Sequence, residues 1–230
     1  LTQGMVLKDG EVMSKSKGNI VDPDSMIKKY GADSLRLFIL FAAPPETELE
    51  WDDRGLEGAN KFLNRIWRIQ ENLTDESPLE LKRALHRTIK KVTADFNEFK
   101  FNTAIASLME LTNSIYQLKA DKEVFACLAI MLSPIAPHIS EEIWSLLGNK
   151  ESIFKASWPS FNPQMLIEER VEIVLQVNGK VRSKIEVEAG IDKESLKDLA
   201  LKDEKLKTWI QGQEPKSIIV VPGKLVNIVL

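Results

Sequence analysis

The sequence predicts a mainly α protein of more than one domain, with an antiparallel helical bundle at its centre and a small α/β domain with a β-hairpin at its end. Three observations carry this. Apolar residues recur every three or four positions from Phe62 to Ile135, the period drops to two at Val171, and a proline-bearing stretch from Trp158-Pro159 to Pro163 lies between. Steps of three or four mark one face of a helix, whereas steps of two mark one face of a strand. At 230 residues and 43% hydrophobic content, the chain has ample apolar material for packed cores.

Taken in order, Asp22-Pro23 offers an N-cap followed by proline, the preferred opening of a helix. Tyr30-Gly31-Ala32-Asp33-Ser34 stops that helix and caps a second, and the segment closes in an acidic run from Glu46 to Asp53. Four apolar rows then predict four helical faces: Phe62, Ile66, Ile69 and Leu73; Leu81 through Leu85, Ile89, Val92 and Phe96 to Phe99; Ala104 through Leu108, Leu111 and Ile115 to Leu118; and Val124, Leu128, Met131 and Ile135. Helices in such a series pack antiparallel. Beyond the Pro159–Pro163 linker, Val171, Ile173, Leu175 and Val177 alternate up to Asn178-Gly179, the strongest short hairpin signal, and Val181 to Val187 returns as the second strand. A helical stretch from Asp192 to about Ile210 precedes two more strands, Ser217 to Val221 and Leu225 to Val229, joined at Pro222-Gly223-Lys224. The domain boundaries expected from this pattern are 1–54, 55–165 and 166–230.

Composition removes several function classes. The single cysteine, Cys127, sits among apolar neighbours and reads as a core thiol; no disulfide can form within the chain, which fits a reducing compartment. With His86 and His138 as the only histidines, the usual zinc ligand set cannot be assembled, and no metal site is expected. No apolar run reaches the roughly 18 residues of a membrane span and no signal-peptide pattern opens the sequence, so the chain reads as cytoplasmic. Net charge is −3, from 31 basic and 34 acidic residues. The deficit lies in residues 1 to 55, with 7 basic against 10 acidic side chains; the rest is balanced, so any affinity for nucleic acid must come from local stripes.

One loop carries the chemistry. Met13-Ser14-Lys15-Ser16-Lys17-Gly18-Asn19 resembles the second signature of class I aminoacyl-tRNA synthetases, Lys-Met-Ser-Lys-Ser, with Val12 where that pattern has its first lysine. The stretch from Tyr30 to Leu37 is similar to the segment that follows this signature in the leucine, isoleucine, valine and methionine enzymes. Ala42-Ala43-Pro44-Pro45-Glu46, Leu49-Glu50-Trp51, Phe62 to Trp67, Ser133 to Ile139 and Val177 to Arg182 extend the likeness to the end of the chain, closest to the bacterial type of the leucyl branch. In that family the loop binds the triphosphate of ATP while a carboxylate attacks the α-phosphate. Charge builds on the departing pyrophosphate, and ammonium groups held against it lower the barrier. The resemblance makes Lys15 and Lys17 the catalytic candidates, within an ATP-binding set of Met13, Ser14, Lys15, Ser16 and Lys17. A Ser-Lys-Ser-Lys run alone is equally the composition of a solvated turn.

Two basic arrays are candidates for RNA. Lys61, Arg65 and Arg68 step by four and three beside the apolar row of their helix, and Lys180, Arg182 and Lys184 alternate along the second hairpin strand, where one face would carry them roughly 6.6 Å apart. By resemblance, the first array faces the inside of the tRNA and the second meets its elbow. An ordinary solvated helix face is the plain alternative for the first, and a basic strip answering nearby Glu172, Glu186 and Glu188 is that for the second. Ala136-Pro137-His138-Ile139 only mimics the other class I signature, lacking its glycine and second histidine, and His138 is expected to open a helix behind Pro137. Glu48, Glu50, Asp52 and Asp53 have no metal-loop spacing and read as a solvated acidic turn.

The resemblance implies the C-terminal portion of such an enzyme: the end of the catalytic domain, an anticodon-binding type bundle and a small tRNA-binding domain. The implied partners are a leucine-acceptor tRNA, and ATP with magnesium and leucine through the rest of the catalytic domain, with no DNA and no membrane; nothing is expected to bind tightly to this piece alone, which should be inactive by itself. A non-catalytic tRNA-binding module, a subunit of a split synthetase, and an isoleucyl, valyl or methionyl relative stay open at this point.

Overall fold

The helical periods become an antiparallel bundle in the computed structural model, which describes residues 2–167 and 170–230. The chain forms two compact units, residues 1–166 and 167–230. The first opens with three very short strands, β1 (Val6–Lys8), β2 (Glu11–Val12) and β3 (Leu49–Glu50), in the order β2-β1-β3. Asp9 and Gly10, both at positive φ (59° and 75°), turn β1 into β2, while β3 joins β1 in parallel. Gly4 makes that join possible: a Cβ there would lie 1.9 Å from the carbonyl oxygen of Thr47. Strands of two or three residues are too short for a period to show, and the expected acidic turn is instead β3 followed by Asp52, the N-cap of the next helix.

Helices α1 (Pro23–Tyr30) and α2 (Ala32–Ala42) follow the loop, and Asp22 caps α1 by accepting from the Asp24 and Ser25 amides. The bundle consists of α3 (Asp53–Arg68), α4 (Leu79–Asn97), α5 (Phe101–Leu118), α6 (Lys122–Leu132) and α7 (Pro137–Leu146). Its core draws on every row read from the sequence, including Ile66, Leu81, Val92, Leu108, Leu128 and Met131, each fully buried. Leu37 and Phe38 of α2 belong to that same core. Residues before 54 are thus packed into the first unit, because α2 is apolar on the face it turns to α3 and α5.

Three expectations change. Phe99 lies off the expected buried face: α4 ends at Asn97 and Phe99 sits at φ 57°, 52% exposed. Cys127 is half-buried against the core; burial pushes its thiol up to about 11. The Trp158 stretch is irregular yet strapped down, since the indole donates to Thr93 Oγ1 at 2.8 Å and meets Phe96 edge-on at 5.6 Å.

The second unit is a four-stranded sheet in the order β5-β4-β7-β6, from β4 (Arg170–Val177), β5 (Lys180–Glu188), β6 (Ser217–Val221) and β7 (Leu225–Val229). The stretch expected as one helix over 192–210 is two, α8 (Lys193–Lys202) and α9 (Glu204–Ile210). Asp203 causes the break: its carboxylate accepts from the Leu206 amide at 2.8 Å as the N-cap of α9, and from the Ser183 hydroxyl at 3.1 Å. Leu196, Ala200, Leu206 and Ile210 cover Ile173, Leu175, Val226 and Ile228. Among the described residues no helix is long and apolar enough to cross a membrane.

Candidate functional site

The signature loop hangs from the β1–β2 hairpin. Lys15–Lys17 form one turn of 3-10 helix, closed by Gly18 at φ 66°, a left-handed conformation that glycine adopts without cost. Asn19 clasps this turn. Its Oδ1 accepts from the Ser14 amide at 2.8 Å and its Nδ2 donates to the Val12 carbonyl at 3.4 Å, closing a ring around residues 14–18. Ser14 and Ser16 share a hydrogen bond at 3.2 Å.

The two lysines differ. Lys17 Nζ lies 2.9 Å from the Glu11 carboxylate on β2, whereas exposed Lys15 has no ion pair among the described residues. An unopposed ammonium on a preformed turn, flanked by two hydroxyls, suits an incoming polyanion such as a triphosphate. Met13, at the near side of the turn, is half-buried.

The first basic array keeps its geometry because an α-helix keeps its period. Lys61, Arg65 and Arg68 are all exposed on α3. Lys61 pairs with Glu57 one turn back. The Arg65 guanidinium lies 5.0 Å from the ring centre of Tyr116 and donates to Asn113 Oδ1 at 2.9 Å, while the Tyr116 hydroxyl donates to the Arg65 carbonyl at 2.7 Å. Arg65 is therefore fixed from α5, whereas no partner of Arg68 is found among the described residues.

The second array does not form the expected row. Leu175 pairs with Ser183 and Gln176 with Val181, so Arg182 is the extra residue of a β-bulge. A bulge shifts alternation by one. Lys184 stays on the outer face with Glu172, 2.8 Å away, and Lys180 faces the other side beside buried Val177. Arg182 stacks 3.5 Å over the ring of Trp209 on α9, and its buried Nε has no hydrogen-bond partner.

The family model described as the anticodon-binding domain of tRNA ligase matches residues 80–197, just over half of the chain. The chain belongs to this tRNA ligase family. A second family model, class I tRNA synthetases (I, L, M and V), matches residues 1–52, the segment that holds the clasped loop. The chain is 46% identical over 255 aligned residues to a leucine–tRNA ligase of Geotalea uraniireducens (strain Rf4), a match covering 100% of this chain and 31% of that protein. Its fold is similar to that in the crystal structure of the ternary LeuRS–tRNA–LeuAMS complex of Agrobacterium radiobacter K84 agnB2, with a TM-score of 0.81 and 30% identity over 99% of this chain and 33% of that one. The chain spans about a third of the length of these relatives.

Sequence reasoning missed Glu11, Asn19, Tyr116, Asn113 and Trp209. Asn19 carried a local signal, since an asparagine in a glycine-bearing turn commonly bonds nearby backbone. The others act across elements, where no local pattern announces them.

Proposed function

We propose that the chain is the C-terminal portion of a leucine–tRNA ligase, supplying the ATP-phosphate loop and the tRNA-binding units for ATP-dependent attachment of leucine to its tRNA. The observation that carries this is the clasped loop with one unopposed lysine, in a chain 46% identical along its whole length to such a ligase. Residues 1–54 belong functionally to the catalytic domain, 55–165 form the anticodon-binding type bundle with its linker, and 166–230 form the small tRNA-binding domain. Lys15 stabilises the departing pyrophosphate, and Lys17, released from Glu11, adds a second positive charge. Met13, Ser14 and Ser16 complete the ATP contact. Magnesium would arrive with the nucleotide, bound to its phosphates. Lys61, Arg65, Arg68, Lys180, Arg182 and Lys184 contact tRNA backbone phosphates, which position the RNA without reading its bases. The setting is the cytoplasm.

Leucine-dependent pyrophosphate exchange tests this reading. The full-length protein should catalyse it and the 230-residue chain should not. Lys15→Ala in the full-length protein should slow activation by roughly 10² to 10³, the loss typical of one transition-state donor. An unchanged rate would remove Lys15 from the chemistry, and an unchanged rate in Lys17→Ala as well would refute the phosphate reading of the loop.

A further inference from the structure

Asp33 and Arg36 do something that neither the fold nor the chemistry of the loop requires. The corner between α6 and α7 has unsatisfied backbone at both ends: α7 starts at Pro137 behind Ala136, which has no side chain able to cap it. The first amides of a helix lack intrahelical partners and ordinarily take one from the N-cap side chain. Here Asp33, 106 positions away, provides it. Its Oδ2 accepts from the Ile139 amide at 2.8 Å, its Oδ1 lies 2.7 Å from His138 Nδ1, and the residue is only 8% exposed. Arg36, three residues on and hence on the same face of α2, holds the acceptor side of the corner. Its Nε donates to the Ile135 carbonyl at 3.0 Å and its terminal nitrogen to the Pro134 carbonyl at 2.9 Å.

The joint between α1 and α2 is tied a second time. Asn60 of α3 donates to the Tyr30 carbonyl at 3.0 Å and to Ser34 Oγ at 3.1 Å, and the Ser34 hydroxyl donates to the same Tyr30 carbonyl at 2.8 Å. From this joint, α1 runs back toward the loop as a two-turn rod, and only Ile20 and Val21 lie between the clasp residue Asn19 and the α1 cap Asp22. So short a connection leaves little slack.

We propose that Asp33 and Arg36 are positioning residues that key the exit of the signature loop onto the α6–α7 corner, so that the bundle sets where Lys15 stands. Its catalytic meaning rests on the phosphate reading of the loop, but the geometric claim stands apart from it. Amide hydrogen exchange on the 230-residue chain tests that claim. Asp33→Ala should speed exchange in α1 and at the bonded loop amides of Ser14, Lys17 and Gly18 by roughly 2- to 30-fold, the range expected for loss of a cap, with α4 and α5 unchanged. Asp33→Asn keeps an acceptor for Ile139 and should leave the loop near the parent, as should His138→Ala, which keeps the cap. Faster exchange confined to the start of α7, with the loop unmoved, would reduce Asp33 to a cap and overturn the proposal. Should Asp33→Ala fail to fold, Arg36→Met, which keeps the apolar stem, is read by the same pattern. In the full-length protein, Asp33→Ala should lower kcat for pyrophosphate exchange and leave the KM for leucine alone. Lys15→Ala and Lys17→Ala separate the two readings: silence in both sinks the phosphate role, whereas an unmoved loop in Asp33→Ala sinks only the positioning role.

Discussion

The two basic arrays began as the same kind of pattern and ended as different objects. On α3, Lys61, Arg65 and Arg68 occupy the face their spacing required. On β5, Lys180, Arg182 and Lys184 are dispersed by one extra residue. A helix tolerates small distortions because each residue turns the chain by about a quarter of a circle, so a neighbouring error moves a side chain only slightly. In a strand each residue reverses the face, and a single insertion sends everything beyond it to the other side. Charge patterns on helices can therefore be read as surfaces, while those on strands need the pairing register first.

Fixation separates the arrays as well. Arg65 is held by a ring and an amide from α5, a restraint within the bundle, whereas Arg182 rests on a single ring of α9. If the comparison is sound, Arg65→Ala should destabilise the first unit by about 1 to 2 kcal/mol, from loss of the ring contact and one side-chain hydrogen bond. Arg68→Ala should stay within about 0.5 kcal/mol, as surface substitutions usually do. Denaturant unfolding of the 230-residue chain measures both, and equal effects would show that the Tyr116 and Asn113 contacts are incidental. A change between these two is expected from Trp209→Ala, about 0.5 to 1 kcal/mol in the transition of the second unit, the range of an exposed cation–π pair. A shift in the first transition would contradict its assignment to α9 and β5 alone.

What could be read in advance follows the range of the interactions. The four helical rows, the hairpin at Asn178-Gly179, and the helix behind Pro137 are local, and each appears in the structure, although the rows overrun their helices at Leu73, Phe99 and Ile135. Phe99 was misplaced because it continues the spacing of Leu85, Ile89 and Phe96 past the point where the backbone has turned left-handed, which apolar spacing cannot report. The β1–β3 sheet depends on a parallel pairing between residues some 43 positions apart, fixed by backbone bonds such as that from the Leu49 amide to the Met5 carbonyl at 2.9 Å. In the loop, the family resemblance points to Lys15 and Lys17 together; only the Glu11 carboxylate 2.9 Å from Lys17 tells them apart. Tyr30 to Leu37 and Ser133 to Ile139 are each family-like in sequence, but that they touch through Asp33 and Arg36 is a tertiary fact.

The most direct test of the whole account is titration of a leucine-acceptor tRNA into the 230-residue chain over a series of salt concentrations. Each phosphate contact contributes about 0.7 to 0.9 to the slope of log affinity against log salt. Replacing Lys61, Arg65 and Arg68 together with alanine should lower the magnitude of that slope by about 2 to 3. The triple replacement of Lys180, Arg182 and Lys184 should lower it by less, about 1 to 2, since the bulge has divided the row and one array of phosphates cannot meet both faces. Both losses should be similar for tRNAs of other sequence. A slope unchanged in both triple variants, with the fold intact, would contradict the claim that these surfaces hold RNA.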